Sequence, residues 1–327
     1  MIDCGSLARK PVLVIGRAGM DLYPDPAGTA IEDALSYTSA LGGSSANICV
    51  ALSRQGIDTA LVTCVSDDAI GRYCLNQLDH YGIDRTHVKC VDGEYRNSLA
   101  LSESRLDQHQ TVIYRNGAAD FQMCEQDLEH IDYSQYSALV TTGTVLASEP
   151  SRAASFSAME RARKADLLLF FDVDYRPYSW PSAQEASVVY TQAASLCDVI
   201  IGNDTEFGFM AGDYDDGLAK ARELAQHTAN IVIYKMGEKG SITLTSGEEF
   251  TTGIFDVDAL KPVGAGDSFM GSFIAAMANG SELTEAVLRG SASAAIVVTR
   301  VGCAPAMPTT AELDMFLEKH HGKTTAL

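Results

Sequence analysis

The sequence predicts a doubly wound α/β fold, a mostly parallel sheet with helices on both faces, and three observations point to it. Short apolar runs, ALVTTG, LLLFFDVD, DVIIGN and NIVIYKMG, recur with helical segments between them, the pattern of parallel strands buried on both faces. Glycine-rich turns open two helical stretches, LGGSSANICV and VGAGDSFMGSF, as expected where ligands lie outside strand carboxyl ends. The 327 residues are 46% hydrophobic, enough for a large core, and no apolar run nears the roughly 18 residues of a membrane span.

The elements follow in order. PVLVIG (11–16) is the opening strand, and MDLYPDPAG after it reads as a Pro/Gly-rich loop. LGGSSANICVALSRQG (41–56) is a glycine turn and a helix that buries Ala46, Cys49 and Val50 and stops at Gly56. TALVTCVSDD is a second buried strand and GRYCLNQLDHYG a second helix. YRNSLALSESRLDQHQTVIYR (95–115) changes character, with two half-exposed strands around a polar turn. Residues near 17–40 and 93–120 are therefore expected to build a small β lid. After residue 137 the regular rhythm resumes and runs to SFMGSFIAAMANG, where Phe269, Phe273, Ile274 and Met277 fall at helical spacing.

A formal net charge of −19 argues against a nucleic-acid partner. It also requires the site of any anionic substrate to make its own positive field. The eight cysteines (4, 49, 64, 74, 90, 124, 197 and 303) form no C-x-x-C pair and read as reduced thiols; no histidine has zinc spacing to a cysteine pair. The opening MIDCGSLARK lacks the apolar stretch of a signal peptide. A soluble cytoplasmic protein without membrane or nucleic-acid partners is the expectation.

KPVGAGDSF (261–269) carries the chemistry. Gly264, Ala265 and Gly266 place little bulk before Asp267, so backbone N–H groups at a helix start are open to a phosphate. An acid there can take a proton from an attacking hydroxyl, and phosphoryl transfer needs little beyond positioning and charge stabilisation. Lys261 stands six positions ahead of Asp267. It reads either as a solvated loop residue, as most lysines are, or as a fixed positive charge beside the anion-binding turn.

This segment resembles the signature of the ribokinase-like (PfkB-type) carbohydrate kinases, and LGGSSANI, NDTE (203–206), KMGEKGS (235–241) and TRVGCAPAMP (299–308) resemble other elements of that family in its order. The resemblance covers about residues 11–308 and implies one kinase domain over 1–327. It implies ATP and Mg2+ as cofactors. Asp267 becomes the catalytic base, with Gly264, Ala265 and Gly266 as the anion hole. Asp21, Gly43 and Asn47 bind sugar hydroxyls, Asn203, Lys235, Gly237 and Gly240 attend the nucleotide, and Glu206 reaches the metal through water. Many members read D-T-T-G-A-G-D, where the first acid helps to hold a monovalent cation. Lys261, Pro262 and Val263 depart from that, which implies no monovalent-cation requirement.

Two arginines at strand ends bear on the substrate: Arg115 in TVIYRNGAAD and Arg176 in DVDYRPYSW. Arginine suits bidentate carboxylate recognition, and with GRAGMDLYP these segments resemble the family's branch that phosphorylates a keto-sugar acid of inositol breakdown on its terminal C6 hydroxyl. Asp174 stands where the related 2-keto-3-deoxygluconate kinases usually carry Asn. Those enzymes, fructose, ribose or nucleoside kinases, and a non-catalytic sugar-acid sensor are the alternatives; a sensor would be expected to have lost GAGD or N-x-x-E. Exposed lid strands invite edge pairing into a homodimer.

Overall fold

The computed structural model describes Leu7 and residues 10–320; Cys4 and the rest of the opening segment lie outside the described residues. The chain enters with β1 (Val12–Ile15) and turns into an antiparallel pair, β2 (Gly19–Asp25) and β3 (Ser36–Gly42). Next come α1 (Ser44–Arg54), β4 (Thr59–Ser66), α2 (Ala69–His80) and β5 (Val88–Val91), then β6 (Leu99–Ser102) and β7 (Thr111–Tyr114). The alternating half contains β8 (Ala138–Thr142), α3 (Ser151–Lys164), β9 (Leu168–Asp172), α4 (Ala183–Ala194) and β10 (Val199–Asn203). It continues with α5 (Asp204–Ala211), α6 (Gly217–His227) and β11 (Ile231–Lys235). A hairpin of β12 (Ser241–Thr245) and β13 (Glu249–Thr252) precedes α7 (Ala265–Ala278), α8 (Leu283–Val298) and α9 (Thr310–Lys319).

Nine strands form one sheet in the order β13-β12-β11-β10-β9-β8-β1-β4-β5. Neighbours from β11 to β5 run parallel, and β12 and β13 pair antiparallel at one edge. The apolar runs gave no sign of that hairpin. From β1 the chain builds outward through β4 and β5, then back on the other side through β8 to β11, so β1 marks the switch point where such sheets bind ligands. Burial on both faces shows in β1: Leu13 and Ile15 pack with Phe171, Tyr190 and Phe207, while Val12 and Val14 pack with Phe170, Phe269 and Phe273. Each such side chain contributes about 1.5–3 kcal/mol on burial.

A second sheet of four strands, β3-β2-β6-β7, comes from the segments expected to form the lid. MDLYPDPAG (20–28), expected as a loop, instead supplies most of its second strand, Gly19–Asp25. Pro24 made that stretch look irregular, but the β2–β6 pairing ends at Leu22 and Leu101, so the missing N–H of Pro24 faces no partner on that side. The face holding Asp21, Tyr23 and Ala100 is buried. Register places Met20, Leu99 and Tyr114, and Leu22, Leu101 and Val112, on the opposite face, where Tyr114 and Val112 are exposed.

Two glycines set the helix on which the site depends. Gly264 precedes α7 with φ of 88°, a left-handed conformation that costs glycine little. A Cβ on Gly271 would stand 2.4 Å from the Ala51 Cβ, so its absence lets α7 lie close against α1.

Candidate active site

The strand carboxyl ends deliver a cluster of charged side chains. Asp172 closes β9, Asn203 closes β10 and Lys235 closes β11; Arg17 follows β1 after Gly16. Against them lies the N-terminus of α7. No side chain caps it, which leaves its first amides open to an anion.

Asp267 sits in the first turn of α7. The close contact of α1 and α7 brings Asn47 within reach, and Asn47 Nδ2 donates to Asp267 Oδ2 at 2.7 Å. Asn47 thus orients the acid, while its buried Oδ1 has no partner among the described residues. Burial, reinforced by the negative charge of Asp174, pushes the Asp267 carboxyl up to about 7. A carboxyl near neutrality is suited to accept a proton at working pH.

Lys261 is not a solvated loop residue. It is fully buried at 0% exposure, and its Nζ donates to the Val263 carbonyl, inside the turn that leads into α7. Burial pulls its pKa down, while Cys303, Asp267 and Asp21 oppose that pull. Asp21, on β2, is buried and lifted by desolvation. The Tyr23 hydroxyl donates to Asp21 Oδ2 at 3.0 Å and lies 3.2 Å from Cys303 Sγ. The segment 299–308 therefore packs behind the turn: a Cβ on Gly264 would meet Cys303 Sγ at 2.9 Å. Gly43, φ 94°, immediately precedes α1.

Asn203 and Glu206 form a capping box on α5. Asn203 Oδ1 accepts from the Glu206 amide at 2.9 Å, and Glu206 Oε2 accepts from the Asn203 amide at 2.7 Å. Glu206 is buried, not an exposed helical charge. Its carboxyl is raised by burial, as is that of Asp172, which also feels Asp174, Glu206 and Asp267. Sequence reading did not single out Asp172 for chemistry; its place at the end of an apolar strand was the available signal. Lys235 is the cation that lowers both groups, and its Nζ would be 3.5 Å from a Cβ on Gly266, beside the α7 amides. Gly237 and Gly240 shape the turn between β11 and β12, both with positive φ.

The arginines differ from expectation. Arg115 is buried, its Nε and Nη2 held by Asp120 Oδ2 and its Nη1 donating to the Thr144 carbonyl at 2.9 Å. Phe121 lies beneath it, 4.0 Å from ring centroid to guanidinium carbon. All three nitrogens have protein partners, so much of the Arg115 fork is committed inside the protein. Arg176 pairs through Nη2 with Asp174 Oδ1 at 2.6 Å, and its side chain is 40% exposed. Asp174 adopts a φ of 38°; burial would raise its carboxyl, yet Arg176 and Arg17 hold it below the usual carboxylate value. Arg17, missed in the sequence despite lying within GRAGMDLYP, is buried in this same cluster.

The pattern of the pfkB family carbohydrate kinases matches residues 9–310. A curated relative from Photobacterium profundum, named 5-dehydro-2-deoxygluconokinase, is 40% identical over 312 residues, covering 94% of each chain. One of the same name from Geobacillus kaustophilus is 35% identical over 325 residues, covering 97% of each chain. Among solved structures, aminoimidazole riboside kinase from Salmonella enterica, complexed with aminoimidazole riboside and an ATP analog, superposes with a TM-score of 0.79 at 25% identity. It covers 94% of this chain and 99% of that one.

Proposed function

This chain belongs to the pfkB family of carbohydrate kinases, and we propose that it transfers the γ-phosphoryl group of ATP to the terminal C6 hydroxyl of 5-dehydro-2-deoxygluconate. The name shared by its relatives supports the substrate. The observation that carries the chemistry is the meeting of Asn47, Asp267 and the uncapped start of α7. Asp267, oriented by Asn47, takes the hydroxyl proton as the oxygen attacks phosphorus. The amides of Gly264, Ala265 and Gly266 face the negative charge on the transferred group, and Lys235 adds a cation beside them. Asp21 and Gly43 line the sugar side, Asn203, Gly237 and Gly240 the nucleotide side.

The site also fits magnesium. Asp172 and Glu206 are buried carboxyls, both raised by burial and by the charge of Asp174, and a divalent cation would relieve both. Both Glu206 oxygens already accept backbone N–H groups, from Asn203 and Tyr175, so Glu206 would hold the ion through water. Bound there, magnesium neutralises phosphate charge; the protein's part is to hold it and to orient the acceptor.

No helix among the described residues is long and apolar enough to cross a membrane, and the seven described cysteines are free, in keeping with a reducing cytoplasm. The apolar outer face of the four-stranded sheet supports a homodimer. The test of function is ADP release with 5-dehydro-2-deoxygluconate, 2-keto-3-deoxygluconate, fructose, ribose and nucleosides. The first should give the highest kcat/KM, and Asp267→Asn should lower kcat by on the order of 10²-fold or more. Preference for a neutral sugar or nucleoside, or near-normal turnover by the variant, would sink this reading.

A further inference from the structure

Of the site's three arginines, one has a guanidinium with no hydrogen-bond or ion-pair partner among the described residues. Arg17 is 8% exposed, and its Nε is buried without a hydrogen bond among the described residues. Its backbone is fixed: the Arg17 carbonyl accepts the Ala46 amide of α1 at 3.2 Å. Its positive charge is felt by Asp21 on the lid strand β2 and by Asp174 and Asp267, as well as by Arg115, so it lies within electrostatic reach of both the lid side of the site and the catalytic acid. None of those carboxylates forms an ion pair with it. An arginine desolvated to this degree is costly unless something completes it. Its planar fork matches a carboxylate through two parallel bonds. Arg115 already spends three of its five N–H groups on Asp120 and Thr144, and Arg176 is paired with Asp174 and donates to the Tyr175 carbonyl, so Arg17 is the one of the three whose charge no described acid pairs.

We propose that Arg17 grips the carboxylate of the sugar-acid substrate and is the residue that selects an acid over a neutral sugar. This rests on the sugar-acid reading above. The anionic end of the substrate supplies the counterion that the protein withholds, while the hydroxyl at the other end reaches Asp267. Arg115 and Arg176 then keep to the protein's own acids: the first holds Asp120, and the second holds Asp174 in place.

The test compares 5-dehydro-2-deoxygluconate with its C1 amide, which keeps the hydroxyls and loses the charge. Wild-type protein should prefer the acid by roughly 10- to 150-fold in kcat/KM, the range for a hydrogen bond to a charged group. Arg17→Gln should collapse the acid-to-amide ratio of kcat/KM toward one, chiefly through KM for the acid, and that ratio within each protein is the readout. Arg17→Lys should restore part of the preference, because it keeps the charge without the fork. If wild-type protein shows no preference for the acid, the sugar-acid reading itself fails. If wild-type prefers the acid and Arg17→Gln keeps that preference, only the assignment of Arg17 fails. Should circular dichroism show Arg17→Gln misfolded, Arg17→Lys decides: weakened acid preference supports the assignment, and undiminished preference overturns it.

Discussion

Lys261 offers the sharpest perturbation. Its side chain is fully buried, donates to the Val263 carbonyl and shares charge with Asp267, Asp21 and Cys303. We propose that this tethered cation stiffens the turn before α7, a task that a bound metal ion would otherwise perform. Lys261→Ala removes a hydrogen bond from a charged donor, worth about 1.5–3 kcal/mol. If that interaction positions the turn for phosphoryl transfer, kcat/KM falls by roughly 10- to 150-fold. The stranded Val263 carbonyl lowers stability by about 1–3 kcal/mol as well, so rates belong at a temperature well below the variant's melting transition. The assay is initial rate in potassium, sodium and tetramethylammonium chlorides at constant ionic strength, for both proteins. Wild-type protein should be indifferent to the cation. The variant, with space where the ammonium stood, should regain part of its rate in potassium. Strong, saturable potassium activation of the wild type would refute the reasoning, and so would a variant fully active in all three salts.

Three further expectations follow from the same geometry. Because Asp267 must be ionised to accept a proton and burial lifts its carboxyl to about 7, kcat/KM should rise about tenfold per pH unit below neutrality and level off above it; a profile flat from pH 5 to 8 would exclude Asp267 as the titrating base. The same shift, from 3.8 in the unfolded chain to about 7 in the fold, means the folded state binds the proton more tightly. Stability should therefore fall as pH rises through that window, and Asp267→Asn should flatten this part of the curve, measured as urea midpoints against pH. Val112→Asp and Tyr114→Asp together place charge on the exposed outer face of the lid sheet; sedimentation should show a dimer become a monomer, and a monomeric wild type would remove the homodimer.

What the sequence disclosed and what it hid divide along a physical line. The parallel strands were legible because each is a continuous apolar run, and Asp267 because small residues ahead of a helix are a local signal. Asn203 and Glu206 came only through the family resemblance of NDTE. Lys261 was left between two readings, since lysine is ordinarily exposed and its burial is a product of the tertiary fold that local sequence does not mark. Arg115 was half legible: its partner Asp120 stands in the same ten-residue segment, TVIYRNGAAD, yet pairing across a turn leaves no periodic mark. Charge followed the same division. A total of −19 is a property of the solvated surface, whereas Arg17, Arg176, Lys235 and Lys261 gather around the site, where burial magnifies Arg17 and Lys261 most. A net charge therefore says how the protein meets solvent, and the sign of a site must be read from which charges the fold removes from water.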